Sequence, residues 1–180
     1  MSGARRLKVL FDETAIAERN RGLAAEIAAT KPKDLLVVAV LKGSFMFAAD
    51  LIRALHRVGL EPHVEFIHLS SYREGTVSSG AVRILKDIES SVKNRDVLLV
   101  DDILESGRTL AFAKDLLAAR GAARVMVCTM LEKPGKRAVQ IAADFVGFAC
   151  PDVFVVGYGM DVAHSYRELP FIGHVVMEGA

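Results

Sequence analysis

Val97-Leu98-Leu99-Val100-Asp101-Asp102-Ile103-Leu104-Glu105-Ser106-Gly107-Arg108-Thr109-Leu110 is the stretch on which the reading turns. Four apolar residues in a row suit a strand buried on both faces of a parallel sheet. Two acids come next, at its carboxyl end. A short loop with Ser106, Gly107 and Thr109 then opens a helix whose spacing runs from Arg108 to Arg120, with Gly121 as its stop. Such a loop can point successive backbone N–H groups into one concavity, helped by the helix dipole. That cradle suits a phosphate, and the acids beside it suit ribose hydroxyls or a phosphate-bound Mg2+. Any one of these residues fits a solvated strand end before a capped helix. The coherent strand–acid–acid–loop–helix order is what points to a site.

The alternation repeats on either side. Asp12 caps a helix expected to run to about Thr30, with Ile16, Leu23 and Ile27 on its apolar side, and Pro32 ends it. Leu35 to Leu41 is a second continuous apolar run, hence another buried strand. Lys42-Gly43-Ser44 turns the chain into a second helix that stops near Gly59. His63 to Leu69 reads as a strand. Ser70 to Gly80 is polar, holds two glycines and has no periodicity, so it reads as a long loop of the functional or mobile kind. Ala81 to Leu85, Val125 to Leu131, Phe145 to Phe148 and Val153 to Val156 read as further strands, the last two separated by Cys150-Pro151-Asp152. Strands alternating with helices predict an α/β fold with a mostly parallel sheet. Ligands bind such sheets beyond the carboxyl ends of the strands, so the polar residues after Leu41, Val100 and Leu131 become candidates.

Composition narrows the function classes. The chain has 180 residues, which predicts one domain. Hydrophobic residues make up 52% and charged residues 25%, which excludes a disordered or collagen-like chain. The 23 basic and 22 acidic residues leave a net charge of +1, so no global field holds nucleic acid and any anion site is local. Cys128 and Cys150 sit in apolar runs, which predicts free thiols and a reducing compartment. Arg5 and Arg6 precede only Val9-Leu10-Phe11 before Asp12, too short for a signal-peptide core. The run from Leu35 to Leu41 is far below a membrane span. The expectation is a soluble, cytoplasmic protein. No internal repeat, linker or P-loop is present, and Gly157-Tyr158-Gly159 lacks the third glycine of a dinucleotide fingerprint. His56, His63, His68, His164 and His174 form no zinc pattern, and His63 and His68 read as surface residues near strand ends. Lys133 to Arg137 is a basic cluster too short for a nucleic-acid stripe.

Residues 97–110 resemble the phosphoribosyl-pyrophosphate (PRPP) signature of type I phosphoribosyltransferases, and the likeness extends along most of the chain toward the hypoxanthine/guanine branch. Leu41-Lys42-Gly43 resembles that branch's pyrophosphate loop, and Ser71-Tyr72 the start of its mobile catalytic loop. Lys133 resembles the lysine that reads the purine 6-oxo group. Asp144-Phe145-Val146-Gly147-Phe148, then Pro151-Asp152, Phe154-Val155-Val156-Gly157-Tyr158 and Asp161, resemble its purine-binding segment. Tyr166-Arg167-Glu168-Leu169-Pro170 resembles the family's next segment toward the C-terminus. These segments occur in the family's order.

The resemblance implies a role for each of these residues. Asp101 and Asp102 would hold the ribose hydroxyls, directly or through Mg2+. Glu105, Ser106, Gly107, Arg108 and Thr109 would surround the 5′-phosphate, Arg108 being dispensable in the pattern. The backbone of Lys42 and Gly43 would bind pyrophosphate, through a peptide that is often cis in the family; alternatively Lys42 is an exposed helix-start lysine. Phe154 would stack on the purine and Val155 would meet its edge, although an apolar strand residue at 154 equally suits plain core. Asp161 would help hold a pyrophosphate-bound Mg2+, or is a loop acid. Arg167 would contact pyrophosphate or pair with a nearby acid. One position departs from the pattern. The family usually has Asp where Glu105 stands, the group that takes the proton of purine N7. Both are carboxylates of similar pKa, but Glu is one methylene longer.

The implied protein is a single phosphoribosyltransferase domain over residues 1–180, with a purine hood from the N-terminal segment and about residues 144–180. It would use Mg2+, PRPP and a 6-oxopurine base, as a homodimer or homotetramer. Two other classes compete. An RNA-binding regulator on the same fold would show a basic face, against which the balanced charge stands. A phosphoacceptor signalling domain would leave the polar segment and the C-terminal hood unexplained.

Overall fold

The computed structural model describes residues 5–74 and 77–177. Its elements are β1 (Arg5–Phe11), α1 (Glu13–Ala29), β2 (Leu36–Leu41), α2 (Phe45–Arg57), β3 (His63–Glu74), β4 (Val77–Lys86), β5 (Asp96–Leu104), α3 (Arg108–Ala119), β6 (Arg124–Glu132), β7 (Phe145–Ala149), β8 (Val155–Val156) and β9 (Ile172–Met177). Six strands form the main sheet in the order β4-β3-β2-β5-β6-β7. All its neighbours run parallel except the edge strand β4, which is antiparallel to β3. The expected α/β architecture is the one observed.

The continuous apolar runs end up between two layers. Along β2, Val37 and Ala39 pack into one core with Leu23 and Ile27 of α1 and Phe47 and Leu51 of α2. Leu36, Val38 and Val40 face the opposite way and pack with Leu110, Ala113 and Leu117 of α3. The pleat sends successive side chains to opposite faces, and both faces are covered, so every position is apolar. Asp12 caps α1 as expected, its Oδ1 accepting from the Ala15 N–H at 2.8 Å. Ile16, Leu23 and Ile27 are all buried. The guanidinium of Arg19 ties α1 to β7, donating to the carbonyls of Val146 at 2.7 Å and Gly147 at 2.9 Å.

Two expectations need correction. The described residues of Ser70–Gly80 are strand rather than loop: β3 runs on to Glu74, β4 begins at Val77, and Arg73 pairs with Ser78. Backbone pairing makes a strand whatever its polarity, whereas alternation signals one only where a single face is buried. The Val153–Val156 strand shrinks to Val155–Val156. A second, three-stranded antiparallel sheet, β1-β9-β8, has no signal in the local sequence, and it joins the two ends of the described chain.

The segment after β8 is tied to the helical layer through a buried polar link. Asn20 of α1 donates to the Tyr158 hydroxyl at 2.9 Å, and that hydroxyl donates to Asp50 of α2 at 2.7 Å. Burial, then the Asp50 carboxylate, pushes the Tyr158 phenol far up, so it stays a donor. Cys128 and Cys150 are free and buried. Among the described residues no helix is long and apolar enough to cross a membrane.

Leu23 is fully buried between α1 and the sheet. Leu23→Ala is expected to destabilise the protein by about 2–5 kcal/mol, the transfer loss plus the cavity left behind. Urea unfolding checks this, as a lower midpoint at unchanged slope.

Candidate active site

The carboxyl ends of β2, β5 and β6 meet the segment around β8 at a cleft of about 410 Å3. Lys42, Gly43, Asp102, Glu105, Lys133, Phe154, Val155, Asp161 and Arg167 all line it. A second depression of about 210 Å3 adjoins it, lined by Asp101, Asp102, Glu105, Ser106, Gly107 and Thr109 among others. Of the residues singled out from the sequence, Arg108 lines neither and is exposed. The side chains of Ser71 and Tyr72 lie outside the described part of the structure.

Asp101 and Asp102 end the buried part of β5. The Asp102 N–H donates to Asp101 Oδ1 at 2.9 Å, and the Ile103 N–H to Asp102 Oδ1 at 2.7 Å. Burial, followed by the charge of Asp102, pushes the Asp101 carboxyl well up. Burial also raises Asp102, against hydrogen bonds from Asp101 and the backbone and the pull of Arg167. Two adjacent acids, Asp101 buried and Asp102 partly so, with no ion pair among the described residues, form a donor set suited to a hard divalent cation.

Gly43 lies against this pair. A Cβ there would overlap the Asp102 carboxylate, so the β2 turn reaches the acids only because residue 43 has no side chain. The preceding Leu41–Lys42 peptide is cis. The buried Ser44 hydroxyl holds the turn from below, donating to the Val40 carbonyl at 2.5 Å.

The loop after β5 has the geometry of an anion cradle. The carbonyl of Leu104 accepts from the Lys133 N–H at 3.0 Å, and that of Ser106 from the Ala138 N–H at 2.9 Å. Gly107 caps α3 at φ +81°, where a Cβ would also overlap Ile141. The N–H groups of Glu105, Ser106 and Gly107 have no acceptor among the described residues. Three free donors in succession at a helix N-terminus favour a phosphate.

Lys133 comes directly after β6 and is almost fully buried at 6% exposure. Its Nζ lies 3.4 Å from Glu105 Oε1, whose side chain is 45% exposed. Phe154 is 58% exposed, so it is not a core residue; its ring borders the cleft. Val155 beside it is buried. Arg167 pairs with an acid, the second of its two expected roles. Its Nη2 lies 2.9 Å from Asp161 Oδ1, and its Nη1 donates to the Gly159 carbonyl at 2.6 Å. Asp161 Oδ2 also accepts from the His164 N–H at 2.8 Å. Asp101, Asp102 and Asp161 therefore do not close into a three-carboxylate cage, and among the described residues no three His, Cys, Asp or Glu gather as one. Mg2+ bound with substrate phosphates needs only one or two carboxylates.

Sequence reasoning missed part of the lining. His68, read as an ordinary surface residue, borders the cleft with Leu69, because the β3 carboxyl end reaches the same sheet edge. The position of His68 one strand over from Leu41, its register partner, is the signal that would have found it. Met160 also lines the cleft, and only the tertiary course of the segment after β8 brings it there.

Comparisons with known proteins agree with this geometry. A family model described as "Phosphoribosyl transferase domain" matches residues 7–163. The chain is 47% identical over 167 residues to the bifunctional protein TilS/HprT of Listeria innocua, covering 92% of this chain and 25% of that protein. It thus spans about a quarter of that relative's length. It is 44% identical over 167 residues to the hypoxanthine-guanine phosphoribosyltransferase of Bacillus subtilis, covering 92% of this chain and 91% of that one. A crystal structure of a hypoxanthine phosphoribosyltransferase from Staphylococcus aureus matches with a TM-score of 0.88 at 41% identity, covering 94% of this chain and 91% of that chain. With a sheet edge that ends in paired acids and a phosphate cradle, and relatives of this kind along nearly its whole length, the chain belongs to the phosphoribosyltransferase family, in its hypoxanthine-guanine branch.

Proposed function

We propose that this protein serves purine salvage by Mg2+-dependent transfer of 5-phosphoribose from PRPP to N9 of hypoxanthine or guanine, giving the nucleoside monophosphate and pyrophosphate. The observation that carries the proposal is the approach of Lys133 Nζ to within 3.4 Å of Glu105 Oε1, at the point where the phosphate cradle opens into the cleft. An ammonium offers only donors. A 6-oxo group accepts, whereas the 6-amino group of adenine donates. Lys133 is buried, so an unmatched donor there is costly. The exposed face of Phe154 is free to stack on the base, with Val155 at its edge.

Glu105 acts as the base. As N9 bonds to the anomeric carbon, the bond from that carbon to the pyrophosphate oxygen breaks, and its electron pair leaves with pyrophosphate. The N7 proton passes to the Glu105 carboxylate. The cradle of Glu105 to Thr109 holds the 5′-phosphate, while Asp101 and Asp102 hold the ribose hydroxyls. Pyrophosphate lies against the backbone of Lys42 and Gly43 and within reach of Arg167. Asp101 and Asp102 would hold Mg2+ at the ribose, and Asp161 would separately help hold one on pyrophosphate; when bound it neutralises charge on the leaving pyrophosphate. The arm formed by β3 and β4, which carries Ser71 and Tyr72, starts at the cleft rim and serves as a lid that excludes water.

In this reading residues 1–180 form one phosphoribosyltransferase domain, whose hood is the β1-β9-β8 sheet with the segment from about 144 onward. The exposed Val64 and Phe66, two residues apart on one side of β3, support assembly as a homodimer or homotetramer. Free cysteines support a cytoplasmic location.

The direct test tracks ultraviolet absorbance as hypoxanthine, guanine, xanthine or adenine is offered with PRPP and Mg2+. Hypoxanthine or guanine is expected to be consumed and adenine refused; consumption of no purine overturns the proposal. Lys133→Gln is expected to weaken 6-oxopurine use and to shrink the hypoxanthine-to-adenine ratio of kcat/KM by at least tenfold, since an amide can also accept. An unchanged ratio removes Lys133 from purine recognition.

Glu105→Ala is expected to lower kcat by about 10²–10⁴-fold, the usual range for a general acid–base group. Glu105→Asp, which keeps the carboxylate, is expected to retain more activity than Ala. Equal rates for the two variants would make Glu105 a spectator.

Asp101 provides a pH test without substrate. Its carboxyl is raised in the folded state, so folding takes up a proton there. That contribution is complete below the unfolded carboxylate range and is lost as pH climbs towards the raised folded value. Asp101→Asn escapes this loss. Its Tm by calorimetry is expected to exceed that of the native protein at pH 8 by about 2–4 °C, the shift ~1 kcal/mol makes in a chain of this size. The difference is expected to shrink towards pH 4, and a difference that does not vary with pH contradicts the argument.

A further inference from the structure

We infer that Arg137, which touches neither the cleft nor the phosphate depression, is the positioning residue that sets both the phosphate cradle and the Glu105–Lys133 pair. The inference rests on the transferase reading above and extends it to a side chain outside the site.

Arg137 stands behind the cradle. Its Nη1 donates to the carbonyls of Leu104 at 3.0 Å, Glu105 at 2.7 Å and Lys133 at 3.4 Å. Its Nη2 pairs with the Glu132 carboxylate, and its Nε donates to the Ile141 carbonyl at 3.3 Å. The side chain is 22% exposed and borders a separate outer hollow. One planar cation thus grips the backbone on both sides of the reacting pair, at Leu104–Glu105 and at Lys133.

The peptide group itself turns this grip into a cradle. In a trans peptide the C=O and the next N–H point in opposite directions. Arg137 draws the carbonyls of residues 104 and 105 outward, and the Ala138 N–H draws that of residue 106 the same way. The N–H groups of Glu105, Ser106 and Gly107 must then face inward. They have no acceptor among the described residues, and the depression of about 210 Å3 is where they open. The positive charge behind the carbonyls also polarises these peptides and strengthens the donors. Lysine cannot replace this grip, because a single ammonium has no planar fork to span several carbonyls and a carboxylate at once.

The experiment compares inosine 5′-monophosphate with inosine, by calorimetric titration of the full chain. The ratio of their dissociation constants reports the phosphate cradle alone. In Arg137→Lys that ratio is expected to fall at least tenfold while inosine affinity changes less than about threefold, with Tm near that of the native protein. In Arg137→Ala, millimolar guanidinium is expected to restore part of the lost transfer rate. Lys136→Ala, at the exposed neighbour paired with Asp152, is expected to leave the ratio unchanged. A native ratio in Arg137→Lys overturns the positioning role and leaves the transferase reading standing. So does equal weakening of both ligands together with a lower Tm, which marks a merely structural arginine. If the native protein binds the monophosphate no better than inosine, the transferase reading falls and the inference with it.

Discussion

A parallel sheet covered on both faces has no place for a polar side chain except where its strands end. β2 and β5 meet that constraint fully. Their alternate residues pack against α1 and α2 on one side and α3 on the other. The polar residues these strands carry are therefore gathered where β2, β5 and β6 stop, facing the segment around β8. Gly43, Asp101, Asp102 and Lys133 share one edge because their strands share one register, with Ala39 level with Val100, and Val100 with Cys128. The chemistry is a by-product of burying the rest.

That arrangement keeps groups in states water would not favour. Burial and the charge of Asp102 push the Asp101 carboxyl up, and Lys133 is nearly buried with Glu105 as its near partner. Three backbone donors face a hollow without an acceptor. Each lowers the stability of the empty protein, and each is matched by a charge that the proposed substrates carry. The donors are fixed before the ligand arrives, so little reorganisation is left for the moment of reaction.

The sequence makes the centre of this molecule legible and its rim obscure, for physical reasons. Val97–Val100 and Leu35–Leu41 announce buried strands because both faces demand apolar residues, and the acids after Val100 stand out against that background. The arm after Leu69 carries no such signal: its sequence is polar and without alternation, and its strands are joined by backbone pairing with each other. β1 and β9 lie more than 160 residues apart in the chain but pair from Arg5 with Met177 to Phe11 with Ile172, with one register shift between Val9 and Phe11, and no local pattern announces a partner so distant. The motif from Asp101 to Thr109 is readable because its residues are consecutive. Arg137 is not, because its partners are main-chain carbonyls, which any sequence supplies.

The pairing of β1 with β9 also orders the events of synthesis. β1 is made long before its partner, and its hydrogen-bonding edge stays open until Ile172–Met177 leaves the ribosome. The main sheet needs nothing beyond β7 and can assemble earlier from contacts closer in the chain. A nascent chain halted before β9 would thus hold a finished phosphate cradle under an unfinished roof, with one unpaired strand offered to any neighbour. The arrival of Ile172–Met177 decides when β1 finds its partner and the hood sheet closes.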